Sequence, residues 1–324
     1  MPSDIFFLKY AAQLASHVDP HKTSPNPRVG CVVVRDDKIV AEGVHDNFGG
    51  AHAEANALGD ALLEASTVYV TLEPCDCFAG KQTPSCTQKL INLKPKRVVI
   101  GALDPHFSGK NVEKLRAAGM DVEVLEIPEF KALNPFFEKF ITQKKPYLCV
   151  KMAQSLDGCI TGGDEVYLSN EISRKRVHVM RSQYSAILTT VKTILADDPK
   201  LDVRGVAGSN PDIIILGKKS DIPETANIFK ISDRKLHFFN THDLEEVLDE
   251  CGKLGIDSLM TECGPTLAGA LLAENLVDEV QIFIAPKLVG DGVGWTSDLD
   301  LKNWKRQSVE ALDGDIHLVI LARP

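Results

Sequence analysis

HAEANALGDALLEASTVYVTLEPCDCFAGKQTPSC, residues 52–86, is the stretch whose reading settles the fold. Its pattern predicts a helix from about Ala53 to Ala65, a short buried strand over Val68–Leu72, and a second helix from about Cys86. Outward on the N-terminal side, Val29–Arg35 and Ile39–Val44 are apolar runs separated by Asp36, Asp37 and Lys38, a hairpin signal. On the C-terminal side come a strand over 97–104, a helix near 111–118, a strand over 122–126 and an amphipathic helix over about 129–142. Strands alternating with helices predict an α/β layered sheet.

The sequence has 324 residues, enough for two domains, and Gln143-Lys144-Lys145-Pro146 is the place to divide it, into 1–145 and 146–324. Past that point a second series follows: strands at YLCVKMA, SAILTT, DIIIL, LHFF, SLMTE, VQIFIA and HLVILA, with helices near 171–182, at 243–254 and from about 265. A composition of 44% hydrophobic and 25% charged residues is ordinarily globular. The absence of any apolar run near the ~20 residues of a bilayer span argues against a membrane protein. The start, MPSDIFFLKYAAQLASH, reads as an amphipathic helix rather than a signal peptide, so a cytoplasmic location is expected. Net charge is -9, divided as -1 up to residue 145 and -8 beyond, which argues against nucleic acid as a partner.

Eight cysteines are present, and three of them, Cys75, Cys77 and Cys86, fall within twelve residues. Clustered cysteines in such a chain point to metal or catalysis before disulfides. His52, Cys75 and Cys86 supply one imidazole and two thiolates, a good match for zinc with a fourth position left for water. Glu54, two residues from His52, is placed to move protons, as in the H-x-E…P-C…C arrangement of zinc nucleobase deaminases. A closed structural zinc site is the competing reading; Cys77 is its candidate fourth ligand, although one residue between thiols is tighter than usual.

Several blocks carry a family resemblance. They are Pro25-Asn26-Pro27-Arg28-Val29-Gly30-Cys31, His52-Ala53-Glu54, Val70-Thr71-Leu72-Glu73-Pro74-Cys75 and Thr83-Pro84-Ser85-Cys86. The N-terminal half resembles the cytidine-deaminase-like, three-layer domain of the bifunctional riboflavin-biosynthesis deaminase/reductases. The resemblance implies Zn2+ on His52, Cys75 and Cys86, Glu54 as proton shuttle, and Asn26, Lys81 and Asp104 on the substrate phosphate. The loop departs from the family's pattern: it has ten residues between the cysteines and Asp76-Cys77 where a Ser-His pair is typical.

The second half carries Lys151-Met152-Ala153-Gln154-Ser155-Leu156-Asp157-Gly158, then Ala196-Asp197-Asp198-Pro199, then Glu262-Cys263-Gly264-Pro265-Thr266-Leu267-Ala268-Gly269. Backbone N–H groups at the Gly264-Pro265 turn favour a phosphate, but any strand–Gly–helix turn looks alike. No G-x-G-x-x-G supports a Rossmann site. In its order the series resembles the same family's reductase domain, which is dihydrofolate-reductase-like and uses NADPH. The resemblance implies Lys151, Glu165, Arg181, Leu201, Arg204 and Glu262 around the sugar phosphate, with Arg181 and Arg204 as phosphate clamps. It implies Gln154, Tyr167, Thr193, Asp197 and the turn Gly264, Pro265, Thr266, Leu267, Ala268, Gly269 and Ala270 around NADPH. Tyr167 stands where relatives often carry Trp.

The expectation is therefore a two-step enzyme on small phosphorylated pyrimidines, deaminating a diaminopyrimidinone ribosylamino 5′-phosphate and then reducing the ribosyl group of the uracil product. Family members commonly form homo-oligomers. A zinc deaminase of nucleic acids or free nucleotides would leave the second half unexplained. A relative with one degenerate half would keep only one activity, and a non-catalytic zinc module would have no use for Glu54.

Overall fold

A computed structural model describes residues 3–59, 63, 65–77, 83–161, 167–294 and 304–322. It divides into two compact units, residues 1–144 and 145–324.

In the first unit the elements run α1 (Asp4–Ser16), α2 (Pro20–Thr23), β1 (Gly30–Arg35), β2 (Lys38–Val44), α3 (Ala53–Ala57), β3 (Thr67–Val70) and α4 (Cys86–Leu93). Then come β4 (Arg97–Ile100), α5 (Lys110–Ala117), β5 (Asp121–Val124), α6 (Pro128–Lys131) and α7 (Pro135–Gln143). The sheet has the order β2-β1-β3-β4-β5. β1 is antiparallel to β2 and β3, whereas β3, β4 and β5 are parallel. Asp36 and Asp37, at φ 50° and 58°, turn the hairpin in the left-handed region that Asp tolerates and that primed turns require.

Register makes this sheet the middle of three layers. Gly30 pairs with Val44 and faces α1, while Cys31 pairs with Gly43 and faces α3. Both glycines are there for closeness: a Cβ on Gly30 would lie 1.9 Å from the Ala11 carbonyl oxygen, and one on Gly43 2.5 Å from the Ala53 oxygen and the Ala57 nitrogen. The same register brings the start of β1 and the ends of β2, β3 and β4 to one end of the sheet. Asn26, His45, Glu73–Cys75 and Asp104 all lie just beyond that end.

Two helices are shorter than their sequence patterns suggest. The helix beginning at Ala53 stops at Ala57, where Leu58 turns extended ahead of Gly59, and residues 60–62 and 64 lie outside the described residues. The helix expected over 129–142 is two, because Pro135 starts a new one and Asn134 before it leaves helical geometry. The strand expected over 97–104 ends at Ile100.

The second unit contains β6 (Tyr147–Ser155), β7 (Cys159–Thr161), α8 (Glu171–Gln183), β8 (Ala186–Thr190), α9 (Val191–Asp197), β9 (Asp212–Leu216) and β10 (Leu236–Phe239). It continues with α10 (Leu244–Lys253), β11 (Ser258–Thr261), α11 (Pro265–Ala273), β12 (Glu279–Ala285), β13 (Val293–Gly294), β14 (Trp304–Leu312) and β15 (Asp315–Ala322). An eight-stranded sheet runs β10-β9-β8-β11-β6-β12-β15-β14. The first six strands in that order are parallel, and β15 is antiparallel to both its neighbours, β12 and β14. β14 escapes sequence detection because WKRQSVEAL is an edge strand, exposed along nearly all its length and without an apolar run. One buried cluster, including Leu148, Val150, Leu188, Ile214, Leu259 and Val280, forms this unit's core on one face of the sheet.

The close approach of α1 gives a stability prediction. Gly30→Ala should destabilise the chain by about 1–3 kcal/mol or more in urea unfolding, as overpacking does. Gly269→Ala, where an added Cβ meets nothing within 4 Å, should be neutral or slightly stabilising.

Candidate functional site

The end of the first sheet gathers a donor set. One ligand atom each from His52, Cys75 and Cys86 lies within 4.8 Å of the others, the one such His/Cys/Asp/Glu group among the described residues. His52 is the N-cap residue of α3, Cys75 follows β3, and Cys86 is the first residue of α4. His52 Nδ1 stands 3.2 Å from Cys75 Sγ and 3.5 Å from Cys86 Sγ. Its Nε2 meets Thr83 Oγ1 at 2.9 Å, which suits a proton on Nε2 and a lone pair on Nδ1 turned toward the sulfurs. Soft thiolates with imidazole are zinc's usual company, and the donor set fits that ion.

The two cysteine segments are stapled together. Thr87 donates its backbone N–H to the Cys75 carbonyl at 3.0 Å, and its hydroxyl reaches the Pro74 and Cys75 carbonyls, each at 3.0 Å. Ser85 caps α4 by accepting from the Gln88 N–H at 2.9 Å, and its own hydroxyl donates to Asp76 at 2.8 Å. Asp76, the residue that departs from the family pattern, thus braces this loop and also pairs with Lys114. Hydrogen bonding from Lys114 holds its carboxyl down at about 2. Cys77 is exposed and does not belong to the donor group. Lys81 lies outside the described residues.

Glu54 is 3% exposed beside the cluster. Burial lifts its carboxyl to about 7, and the Cys75 charge adds to the rise. Asp104 is also buried; burial raises it to about 7, with Glu73 and Cys75 adding to the effect. Asn26 is half-buried ahead of β1.

Two residues that sequence reasoning passed over complete the surroundings. Glu73 accepts the backbone N–H groups of Asp104, Gly109 and Asn111 at 3.3, 2.9 and 2.9 Å, fixing the loop that carries Asp104. His45 is buried with its ring centroid 5.1 Å from that of His52. Its Nδ1 meets the Ala51 carbonyl at 3.0 Å, leaving a buried Nε2 with no partner among the described residues. The sequence signal was available: a histidine directly after the second hairpin strand, seven residues before His52.

In the second unit a charged network forms at the carboxyl ends of the parallel strands, where open α/β sheets bind ligands. Glu262 follows β11, and its backbone is fixed by its own N–H to the Leu188 carbonyl at 3.0 Å and by the Thr189 hydroxyl to its carbonyl at 2.8 Å. Arg181 of α8 forks onto both Glu262 oxygens at 2.5 and 2.9 Å, and Lys151 of β6 stands 3.7 Å away. Arg181 Nη1 also donates to the Asp202 carbonyl at 2.9 Å, while the Asp202 carboxylate pairs with Arg204. So Arg181, expected as a phosphate clamp, spends most of its donors on Glu262 and Asp202; Arg204 is the more exposed cation, at 56%. Burial alone would raise Glu262, but the Arg181 and Lys151 charges overcome it and hold the carboxyl at about 2.

The residues expected around a cofactor are less tightly gathered. Tyr167 is exposed, with the Arg174 guanidinium 4.9 Å from its ring centroid. Thr193 is held by the Thr190 cap of α9, Asp197 is exposed at the end of that helix, and Gln154 is half-buried on β6. Gly264 opens α11 with no side-chain cap, and Pro265, Thr266, Gly269 and Ala270 follow it in the helix. Leu267 and Ala268 belong to the core, as Leu201 is buried in its loop, so the first two can offer only backbone to a ligand. Glu165 lies outside the described residues.

Comparison with known proteins decides the family. Residues 1–102 match the family model described as the cytidine and deoxycytidylate deaminase zinc-binding region, and residues 146–318 match the RibD C-terminal domain. The riboflavin biosynthesis protein RibD of Aquifex aeolicus is 36% identical, with 96% of each chain covered; that of Escherichia coli is 35% identical over 89% of each. This chain belongs to the RibD family. A Thermotoga maritima structure described as a diaminohydroxyphosphoribosylaminopyrimidine deaminase/5-amino-6-(5-phosphoribosylamino)uracil reductase superposes with a TM-score of 0.87 at 32% identity, covering 98% of this chain and 97% of that one. Acinetobacter baumannii RibD gives 0.87 at 30% identity over 99% of both. Like RibD, the chain is a bifunctional enzyme of riboflavin biosynthesis, a deaminase followed by a reductase, with a cytidine-deaminase-like domain and then a RibD C-terminal domain. Among the described residues no helix is long and apolar enough to cross a membrane.

Glu262 makes an acid-stability prediction. Its folded pKa is below the ordinary value of 4.5, so the stability it contributes is present above about 4.5 and is lost as pH falls toward 2. The parent should exceed Glu262→Gln by on the order of 3 kcal/mol in urea at pH 7, with the gap closing between pH 4.5 and 2.

Proposed function

We propose that residues 1–145 deaminate 2,5-diamino-6-ribosylamino-4(3H)-pyrimidinone 5′-phosphate and residues 146–324 reduce the ribosyl group of 5-amino-6-(5-phosphoribosylamino)uracil. The observation that carries the reading is the convergence of His52, Cys75 and Cys86 with a buried Glu54 beside them. His52, Cys75 and Cys86 would hold zinc, which supplies the Lewis acidity that makes hydroxide available near neutral pH. Glu54 takes a proton from the attacking water and returns it to the departing amine, so water and the 2-amino carbon yield a carbonyl and ammonia. A carboxyl lifted toward neutrality by burial suits both halves of that cycle. Asn26, Lys81 and Asp104 bind the ribosylamino phosphate; Glu73 steadies the loop that presents Asp104.

In the reductase, NADPH supplies the hydride, and the protein's part is to bind and orient. Lys151, Glu165, Arg181, Leu201, Arg204 and Glu262 hold the sugar phosphate. Glu262 keeps the Arg181 guanidinium in a fixed plane, and Arg204 is the cation best placed to meet phosphate oxygens. Gln154, Tyr167, Thr193, Asp197 and the 264–270 turn hold the cofactor. The uncapped N–H groups that open α11 suit an anionic group, and Gly264 has no neighbour within 4 Å of an added Cβ.

Ammonia release and the loss of NADPH absorbance separate the two reactions. Glu54→Gln should slow deamination by about 10²–10⁴-fold while leaving reduction of supplied uracil phosphate at the parent's rate. Arg181→Ala/Arg204→Ala should show the opposite pattern; NADPH oxidation at the parent's rate would remove the sugar-phosphate assignment.

A further inference from the structure

The segment from Asp198 to Arg204 links α9 to the charged network, and its backbone is held in an unfavourable shape. Asp198 and Leu201 have φ of 40° and 49°, the left-handed region that a branched side chain such as leucine rarely enters. Such a conformation persists only where its surroundings over-determine it. Two residues from further along the chain do so. Asn227 donates its backbone N–H to Asp198 Oδ1 at 2.8 Å, and its amide reaches the Asp198 carbonyl at 3.0 Å and Oδ2 at 2.8 Å. Arg234 donates to the Leu201 carbonyl at 2.6 Å, to the Lys200 carbonyl, and to the Ile228 carbonyl at 3.4 Å.

Arg234 is half-buried; among the described residues no ion pair to it is found and its buried Nε has no partner. An arginine placed this way spends its guanidinium on main-chain carbonyls, at a desolvation cost that an ordinary surface site does not demand. Asp202, which follows Leu201, is where the loop meets the network. Its carbonyl accepts from Arg181 at 2.9 Å and lies 3.0 Å from His178 Nδ1, while its carboxylate holds Arg204.

We propose that Arg234 is a positioning residue for the sugar-phosphate site of the reductase: by fixing the carbonyls of Lys200 and Leu201, it sets where Asp202 holds Arg181 and Arg204. The inference rests on the reading of Arg181 and Arg204 given above. Arg234 itself touches no reacting atom in this account. Its contribution is geometric, so its loss should weaken binding of the phosphorylated sugar more than it slows hydride transfer.

The experiment uses the full chain with NADPH and the uracil phosphate, comparing the parent, Arg234→Met, Arg234→Ala and Arg204→Ala. Arg234→Met should raise KM for the uracil phosphate about tenfold or more, with kcat within about threefold, and should leave ammonia release from separately supplied diaminopyrimidinone phosphate unchanged. Guanidinium ion at millimolar levels should restore KM in Arg234→Ala by remaking the donations to the Lys200 and Leu201 carbonyls. If Arg234→Met does not fold, Asn227→Ala loosens the same loop and should give the same split. A parental KM in Arg234→Met, or in Asn227→Ala should it take that variant's place, overturns the inference, provided Arg204→Ala raises it. A parental KM in Arg204→Ala means that the sugar-phosphate assignment has failed instead.

Discussion

Two thiols and an imidazole meeting within a few ångströms is the constraint around which the first unit is arranged. The three groups come from separate segments, and each segment is fixed by something other than the donor it carries. α3 approaches the hairpin so closely that position 43 has no room for a side chain. Thr87 bonds the start of α4 to the segment after β3. Glu73 ties that segment to the loop after β4. With these contacts in place, a metal site need not be organised by its ion, and the carboxyl of Glu54 can stay buried next to it.

The second unit solves a different problem, that of keeping cations exposed in a half that is -8 overall. It does so by pairing them selectively. Glu262 is buried among Arg181 and Lys151, and its low pKa is the mark of the charges that surround it. A buried pair of this kind gains little net stability, but breaking it by removing one partner is costly. Its value lies in direction: Arg181 is held planar while Arg204, anchored through Asp202, keeps more than half its side chain in solvent.

Much of this was legible in the sequence because period and spacing are local. The hairpin at Asp36-Asp37, the alternation of strand and helix, and the grouping of His52, Cys75 and Cys86 all follow from residues within about thirty-five positions of each other. What escaped reading was the helix that stops at Ala57, the edge strand β14 with its exposed polar face, and every contact made across long stretches of chain. Arg181 is the clearest case. A lone arginine on a polar helix reads as surface, and its partner Glu262 lies 81 residues away. Asp76 shows the converse, since a departure from family pattern turned out to brace the loop in which it sits.

In the function proposed for the first unit, His52, Cys75 and Cys86, and not Cys77, hold one zinc ion. Zinc K-edge absorption on the purified full chain, with metal content measured beside it, tests this most directly. The expected result is one zinc per chain, with two sulfurs at about 2.3 Å and nitrogen or oxygen neighbours at about 2.0–2.2 Å, unchanged in Cys77→Ser and lost in Cys86→Ser. A shell of three sulfurs that drops to two in Cys77→Ser, or full zinc content in Cys86→Ser, would contradict it.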